Sequence, residues 1–351
     1  MIQVLVVDDS ALMRKLLTGI FSAAGDFAVS VARDGVDALK QIAVRRPDVI
    51  TLDIHMPGLD GLDCLKRIMS ENPCPVVMVS ALTEEGAEET LAALDAGAVD
   101  FVAKPDGAIS LRIDDMSADL VAKVRAAAGV RMPGRRRSEA IAEATSPVAM
   151  ISSTAEHLSN GADGLVLIGT STGGPTALEA VLSSLPGDLR WPVVIAQHMP
   201  ASFTGPLARR LDRLSALTVV EVTSPTMLQS GHAYIGKGEA DVIITRRGDR
   251  LHVTAAPMQA DYLWHPSADR LVRSALQHVE ADRILGVLMT GMGSDGAAAM
   301  TDLRKAGGHT IAEAQETAVV WGMPGELVRR NGAVETVPLD AIARRVGELL
   351  T

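Results

Sequence analysis

Residues 4–21, VLVVDDSALMRKLLTGIF, begin with an aliphatic run, Val4 to Val7, that gives way abruptly to two carboxylates, Asp8 and Asp9. Ser10 then stands as an N-cap before Leu12, Met13, Leu16, Leu17, Ile20 and Phe21, which recur at helical spacing. A short apolar run followed by an amphipathic helix is the repeating unit of a parallel sheet covered by helices. The unit recurs, with further aliphatic runs at Phe27 to Val31, Val49 to Leu52, Val76 to Val79 and Val99 to Val102. The spacing predicts an α/β domain of (βα)5 type over residues 1–128.

In a doubly wound sheet the ligand site lies outside the carboxyl ends of the strands, and the polar residues of this chain fall there. Asp8 and Asp9 end the first strand, Asp53 the third and Ser80 the fourth, and Lys104 follows the fifth. Carboxylates packed together repel unless a cation sits among them, and a hard, oxygen-only cluster favours Mg²⁺. The chemistry that follows is phosphoryl transfer to a carboxylate, with Asp53 as the acceptor and the Lys104 ammonium neutralising charge on the equatorial oxygens. Ser80 is placed to hydrogen-bond the new acyl phosphate, and Phe101 to repack when Ser80 moves, which would couple charge to a surface. Taken singly, Asp8 and Asp9 read as a helix N-terminal acidic pair and Lys104 as a loop charge. Together with Pro57, Gly61 and Pro105 they read as one site.

From Gly129 the periodicity weakens, and residues 129–160 carry Pro, Gly and Ser with Arg131, Arg135, Arg136 and Arg137, the composition of a solvated linker. Beyond it, over residues 161–351, strand-like LVLIG, PVVIAQ, DVIIT and ILGVLM alternate with helix-like segments, so a second, doubly wound, mostly parallel α/β domain is predicted. Its segment LVLIGTSTGGPTALEAVL is a strand, a glycine-rich turn and a helix, with Ser171 in a G-x-S-x-G arrangement. A serine needs a base to take its proton, and a tetrahedral oxyanion needs donors nearby. His198, directly after PVVIAQ, and Asp295, after ILGVLMTGMGS, share the strand-end address and complete a candidate triad. The backbone amides of Thr172 and Met292 are the candidate oxyanion hole. The turn alone is more often a phosphate-binding loop, although a full G-x-G-x-x-G is missing. The chain order Ser, His, Asp also separates this domain from ordinary α/β-hydrolases.

At 351 residues, with 47% apolar and 22% charged residues, the chain has enough material for two packed cores. A net charge of -10 gives no general attraction to phosphate backbones, so nucleic acid is not an expected partner. The amino terminus lacks a basic region, and no apolar run approaches the roughly 18 residues of a membrane span, so a cytoplasmic protein without direct membrane insertion is expected. Cys64 and Cys74 show neither disulfide nor metal spacing and read as packing residues. His157, His232, His252, His265, His278 and His309 lack paired ligand spacing and read as structural or surface residues.

VLVVDDS, TLDIHMPGLDGL, VVMVSA and DFVAKP resemble the response-regulator receiver family. The resemblance implies phosphorylation at Asp53 and a Mg²⁺ site formed by Asp8, Asp9, Asp53 and the backbone carbonyl of His55. His55 departs from the acidic residue more usual there, which bears on phosphate lifetime. GTSTGGP, QHMPASFTGPLARRLDRL, HPSADRL, TGMGSDGA and ETAVVWGMPGELVRRNGAV resemble the chemotaxis protein-glutamate methylesterase (CheB) family. That resemblance implies a Ser171, His198 and Asp295 triad without a cofactor, acting on glutamate γ-methyl esters, and on specific glutamines, of methyl-accepting chemoreceptors. A chemotaxis histidine kinase would be the phosphodonor, and the receiver would cover the hydrolase until phosphorylated. Gly236, Lys237 and Asp241 depart from the family pattern, as does EVTSPTMLQSG, and mark loops where substrate choice would be set. An acidic second half without a recognition helix argues against a transcriptional regulator; a receptor-binding scaffold without turnover is the remaining alternative.

Overall fold

The computed structural model describes residues 1–81, 83–104, 113–130, 132 and 164–350. Arg131, Arg135, Arg136, Arg137, Pro105, His157 and most of the predicted 129–160 linker lie outside these residues.

The central runs become strands buried on both faces, as at Val49–Asp53 and Val76–Ser80, which removes any need for polar alternation, while the edge run at Phe27 to Val31 leaves Ser30 and Val31 exposed. The first sheet contains β1 (Ile2–Val7), β2 (Phe27–Ala32), β3 (Val49–Asp53), β4 (Val76–Ser80) and β5 (Asp100–Ala103), all parallel, in the order β2-β1-β3-β4-β5. Helices α1 (Ala11–Ala24), α2 (Gly35–Val44), α3 (Gly61–Glu71), α4 (Glu84–Asp95) and α5 (Ile113–Ala128) complete the (βα)5 unit. Ser10 caps α1 as its sequence predicts, accepting from Met13 N, and Asp34, Asp60 and Thr83 cap the next three helices in the same way. The strand order reverses between β1 and β3, which places the crevice between Asp8 and Asp53. Gly61 is obligatory there, since a Cβ would lie 2.0 Å from Asp53 O.

The second unit holds β6 (Leu165–Thr170), α6 (Gly174–Leu182), β7 (Val193–Gln197), α7 (Ala201–Leu214), β8 (Thr218–Val222), β9 (Thr226–Met227), β10 (His232–Gly236), β11 (Asp241–Arg247) and β12 (Arg250–Ala256). It continues through α8 (Ala268–Leu276), β13 (Ile284–Leu288), α9 (Ala297–Lys305), β14 (His309–Glu313), α10 (Met323–Arg329), β15 (Glu335–Val337) and α11 (Leu339–Leu350). Among the described residues a seven-stranded sheet runs β15-β14-β13-β6-β7-β10-β8, parallel throughout, with its reversal between β6 and β13. DVIIT is a strand, β11, but it lies outside this sheet. It pairs antiparallel with β12 in a separate three-stranded sheet, β11-β12-β9. The Gly248-Asp249 turn, with Gly248 at φ 63°, closes that hairpin.

The two units share an apolar seam. Phe101 of β5 stacks on Phe203 of α7, ring centroids 4.4 Å apart, and one buried cluster runs from the first sheet into the second. Arg210 of α7 pairs with Asp95 of α4 and with Glu179 of α6, and Arg209 lies 3.6 Å from Glu88. The last, exposed pair contributes little; the aromatic stack contributes about 0.5–1.5 kcal/mol beyond its area.

Candidate active site

The predicted residues lie at strand ends of the second sheet, Ser171 after β6, His198 after β7 and Asp295 in the loop after β13. Ser171 leaves β6 with its amide bonded to Thr290 O and its carbonyl accepting from Gln197 Nε2, both at 3.0 Å. Gly173 turns left-handed at φ 75° and opens α6. The loop after β13 presses on Ser171 so closely that a Cβ at Gly291 would lie 2.7 Å from Ser171 Cβ. His198 follows β7, its amide bonded to Thr170 O at 3.0 Å.

His198 Nε2 donates to Asp295 Oδ2 at 2.8 Å. A carboxylate only accepts, so the ring proton sits on Nε2 and the lone pair on Nδ1. Nδ1 is buried with no hydrogen-bond partner, so the Ser171–His198 bond that a complete triad requires is not closed. Bonds of this kind are commonly long before substrate arrives. Burial works to raise the Asp295 pKa, but the bonds from His198 and from the backbone N–H groups of Asp269 and Ala268 outweigh it and hold the carboxyl below its usual range. Asp295 accepts from Ser267 Oγ at 2.8 Å, Ala268 N at 2.6 Å and Asp269 N at 3.1 Å, which seats it at the N-terminus of α8.

Among the described residues, neither the Thr172 nor the Met292 amide, the expected oxyanion donors, has a hydrogen-bond acceptor. The Thr172 side chain is engaged across the domain boundary, where its Oγ1 donates to Asp100 Oδ2 at 2.6 Å, while Thr290 Oγ1 holds the Thr172 carbonyl at 2.9 Å. Asp100, Trp264 and Ser267 escaped the sequence reading. Trp264 stacks on His198 with centroids 5.4 Å apart and planes 2° from parallel. HPSADRL, residues 265–271, contains Ser267 and directly follows Trp264, but its bearing on Asp295 depends on a contact between segments distant in the chain.

In the receiver, ligand atoms of Asp8, Asp9 and Asp53 lie within 4.8 Å of one another. Lys104 Nζ is 2.7 Å from Asp53 Oδ2 and 3.3 Å from Asp8 Oδ2, and the latter oxygen is buried without a hydrogen bond. Burial raises the Asp8 pKa; Lys104 opposes this and Asp53 reinforces it. An oxygen cluster with a buried, incompletely satisfied carboxylate fits a hard divalent cation. The His55 imidazole turns away from the cluster to Glu89 of α4, 3.1 Å off, while its amide donates to Asp53 Oδ1 at 3.3 Å; only its carbonyl is left to offer a metal. Ser80 Oγ donates to Gly86 O at 3.2 Å, and Phe101 stacks on Phe203, so the two residues expected to act as a switch occupy the side of the sheet facing α4 and α7. Cys64 and Cys74 are buried, their thiols pushed up to about 12 and about 11 chiefly by that burial, as packing residues should be.

This fold and its two sites define a response regulator whose output is an α/β domain carrying a serine, histidine and aspartate at one sheet edge. The CheB methylesterase family model matches residues 166–346 and the response regulator receiver domain model matches residues 4–113. A protein-glutamate methylesterase/protein-glutamine glutaminase of Rhodopseudomonas palustris is 52% identical over 99% of this chain and 98% of its own length. One from Rhodospirillum rubrum is 51% identical over 98% and 95%. The crystal structure of the Thermotoga maritima CheB methylesterase catalytic domain is 32% identical with a TM-score of 0.51, covering 53% of this chain and 98% of that one. The chain belongs to the CheB methylesterase family. Among the described residues no helix is long and apolar enough to cross a membrane.

Proposed function

We propose that this protein hydrolyses glutamate γ-methyl esters on methyl-accepting chemoreceptors, and deamidates specific glutamines, under control of phosphorylation at Asp53. The observation that carries the reading is the His198–Asp295 pair, whose second ring nitrogen is buried without a hydrogen-bond partner. Ser171 Oγ attacks the ester carbonyl as His198 Nδ1 takes its proton. The Thr172 and Met292 amides receive the oxyanion, and His198 returns the proton to the departing methoxide, releasing methanol. Water, deprotonated by the same nitrogen, then cleaves the acyl-Ser171 ester and restores the hydroxyl. An amide follows this route with ammonia as the leaving group. No cofactor is needed for these steps. A non-catalytic scaffold gains no support from relatives that carry enzyme names.

The units are assigned as a receiver over 1–128, a linker over 129–160 and a catalytic domain over 161–351. In the receiver, Asp8, Asp9, Asp53 and the His55 carbonyl would hold Mg²⁺, which supplies charge neutralisation for phosphoryl transfer. Lys104 steadies the transferred group on Asp53. A chemotaxis histidine kinase is the phosphodonor, and the setting is the cytoplasm, with neither nucleic acid nor membrane insertion involved. Control runs through the α4–α7 seam, where Ser80 and Phe101 lie. Methanol release from methylated receptor, with and without phosphodonor, tests the whole reading. Ser171→Ala should abolish release in a folded protein, and Asp53→Ala should hold it at the unstimulated level; substantial turnover by the first variant overturns the catalytic assignment.

A further inference from the structure

Asp241 opens β11 and is fully buried. Both of its carboxylate oxygens are engaged within the protein. Oδ1 accepts from His265 Nδ1 at 2.9 Å and from Ser267 N at 3.1 Å, and Oδ2 pairs with Arg270 Nη1. All these partners lie on residues 265–270.

The same stretch, with the residue before it, grips both members of the His–Asp pair. Trp264 lies flat on the His198 ring. Ser267 Oγ and the amides of Ala268 and Asp269 hold Asp295. Asp269 in turn caps the start of α9 through Ala299 N at 2.7 Å, fixing the stretch on its far side. A second buried carboxylate so near Asp295 would ordinarily repel it, but the Arg270 guanidinium neutralises Asp241 in place.

We propose that Asp241 is a positioning residue for ester hydrolysis: by tethering His265, Ser267 and Arg270, it keeps Ser267 and the first turn of α8 on Asp295 and Trp264 on His198. The proposal rests on the esterase reading of the site. Asp241 touches no reacting atom; it sets the alignment of the carboxylate that orients the imidazole.

The test uses the full-length protein and two readouts, methanol release and the pH dependence of Ser171 labelling by a serine-directed phosphonate. In Asp241→Asn, kcat should fall on the order of tenfold to a hundredfold, as misplacement by a fraction of an ångström implies. KM should stay within about twofold, because substrate contacts are untouched. A less firmly held Asp295 stabilises the imidazolium less, so the midpoint of the labelling profile should move to lower pH. Ser267→Ala should show the same shift, and the double variant should lose much less than the two single losses combined. A folded Asp241→Asn protein with unchanged kcat and an unchanged labelling midpoint overturns the proposal. Should that variant fail to fold, His265→Leu removes one tether while leaving the Asp241–Arg270 pair; a smaller shift in the same direction supports the relay, and no shift overturns it. Native protein that neither releases methanol nor labels at Ser171 overturns the esterase reading itself, a result distinct from every variant outcome.

Discussion

Thr172 Oγ1 donates a 2.6 Å hydrogen bond to Asp100 Oδ2, joining the residue beside Ser171 to the last strand of the receiver. Asp100 is buried, which raises its pKa, while Lys123, 3.9 Å away, opposes the rise. A hydrogen bond to such a group contributes about 1.5–3 kcal/mol, enough to bias a two-state interface by an order of magnitude or more. Asp100→Ala should therefore raise methanol release without phosphodonor several-fold and shrink the stimulation that phosphodonor gives. Unstimulated activity equal to that of the native protein would remove Asp100 from the control mechanism.

Mg²⁺ should stabilise the receiver through Asp8, Asp9 and Asp53, whose ligand atoms are already within 4.8 Å. At a hundredfold excess over Kd the gain is about 2.7 kcal/mol, visible as a rise in melting midpoint. Asp9→Asn should abolish most of that rise. The measurement is a thermal melt at increasing MgCl₂ at constant ionic strength.

Gly291→Ala should damage catalysis out of proportion to stability. The added methyl would sit 2.7 Å from Ser171 Cβ and 2.4 Å from Met323 Sδ, and the thioether can yield more readily than the serine turn. Overpacking of this kind costs about 1–3 kcal/mol of stability. Displacing the nucleophile should lower kcat on the order of a hundredfold. Steady-state kinetics beside a denaturant titration separates the two effects.

Glu313 is fully buried, accepts from Thr290 N at 2.7 Å and Thr317 Oγ1 at 3.0 Å, and has its pKa raised above 4.5, chiefly by burial. A carboxyl that binds its proton more tightly folded than unfolded lowers stability as pH climbs past the unfolded value. Glu313→Gln keeps both contacts, since the Thr317 hydroxyl can accept as well as donate. The variant should match native stability near pH 4 and exceed it near pH 7. Melting curves across that range check the sign.

The sequence was most legible where one local pattern decides the outcome. Val4 to Val7, Val49 to Leu52 and Ile284 to Leu288 are strands because short, mostly aliphatic runs between helical patterns suit few other structures. Ser171, His198 and Asp295 share a sheet edge because each directly follows such a run or the short loop after it. DVIIT was legible as a strand but not as a hairpin partner, since the Gly-Asp turn after it carries that information. Trp264, Ser267 and Asp241 act through contacts between segments far apart in the chain, and periodicity does not report those contacts. Asp100 opens an otherwise ordinary strand, and its partner Thr172 is 72 residues away.

The Phe101–Phe203 stack sits within an apolar cluster that belongs to both halves. Neither half then melts as an independent body, and a calorimetric scan of the resting protein should trace one endotherm. If acyl phosphate on Asp53 parts the seam, two endotherms should replace it, and the separated receiver would present Phe101 to water, a sticky face for whatever apolar surface it meets next.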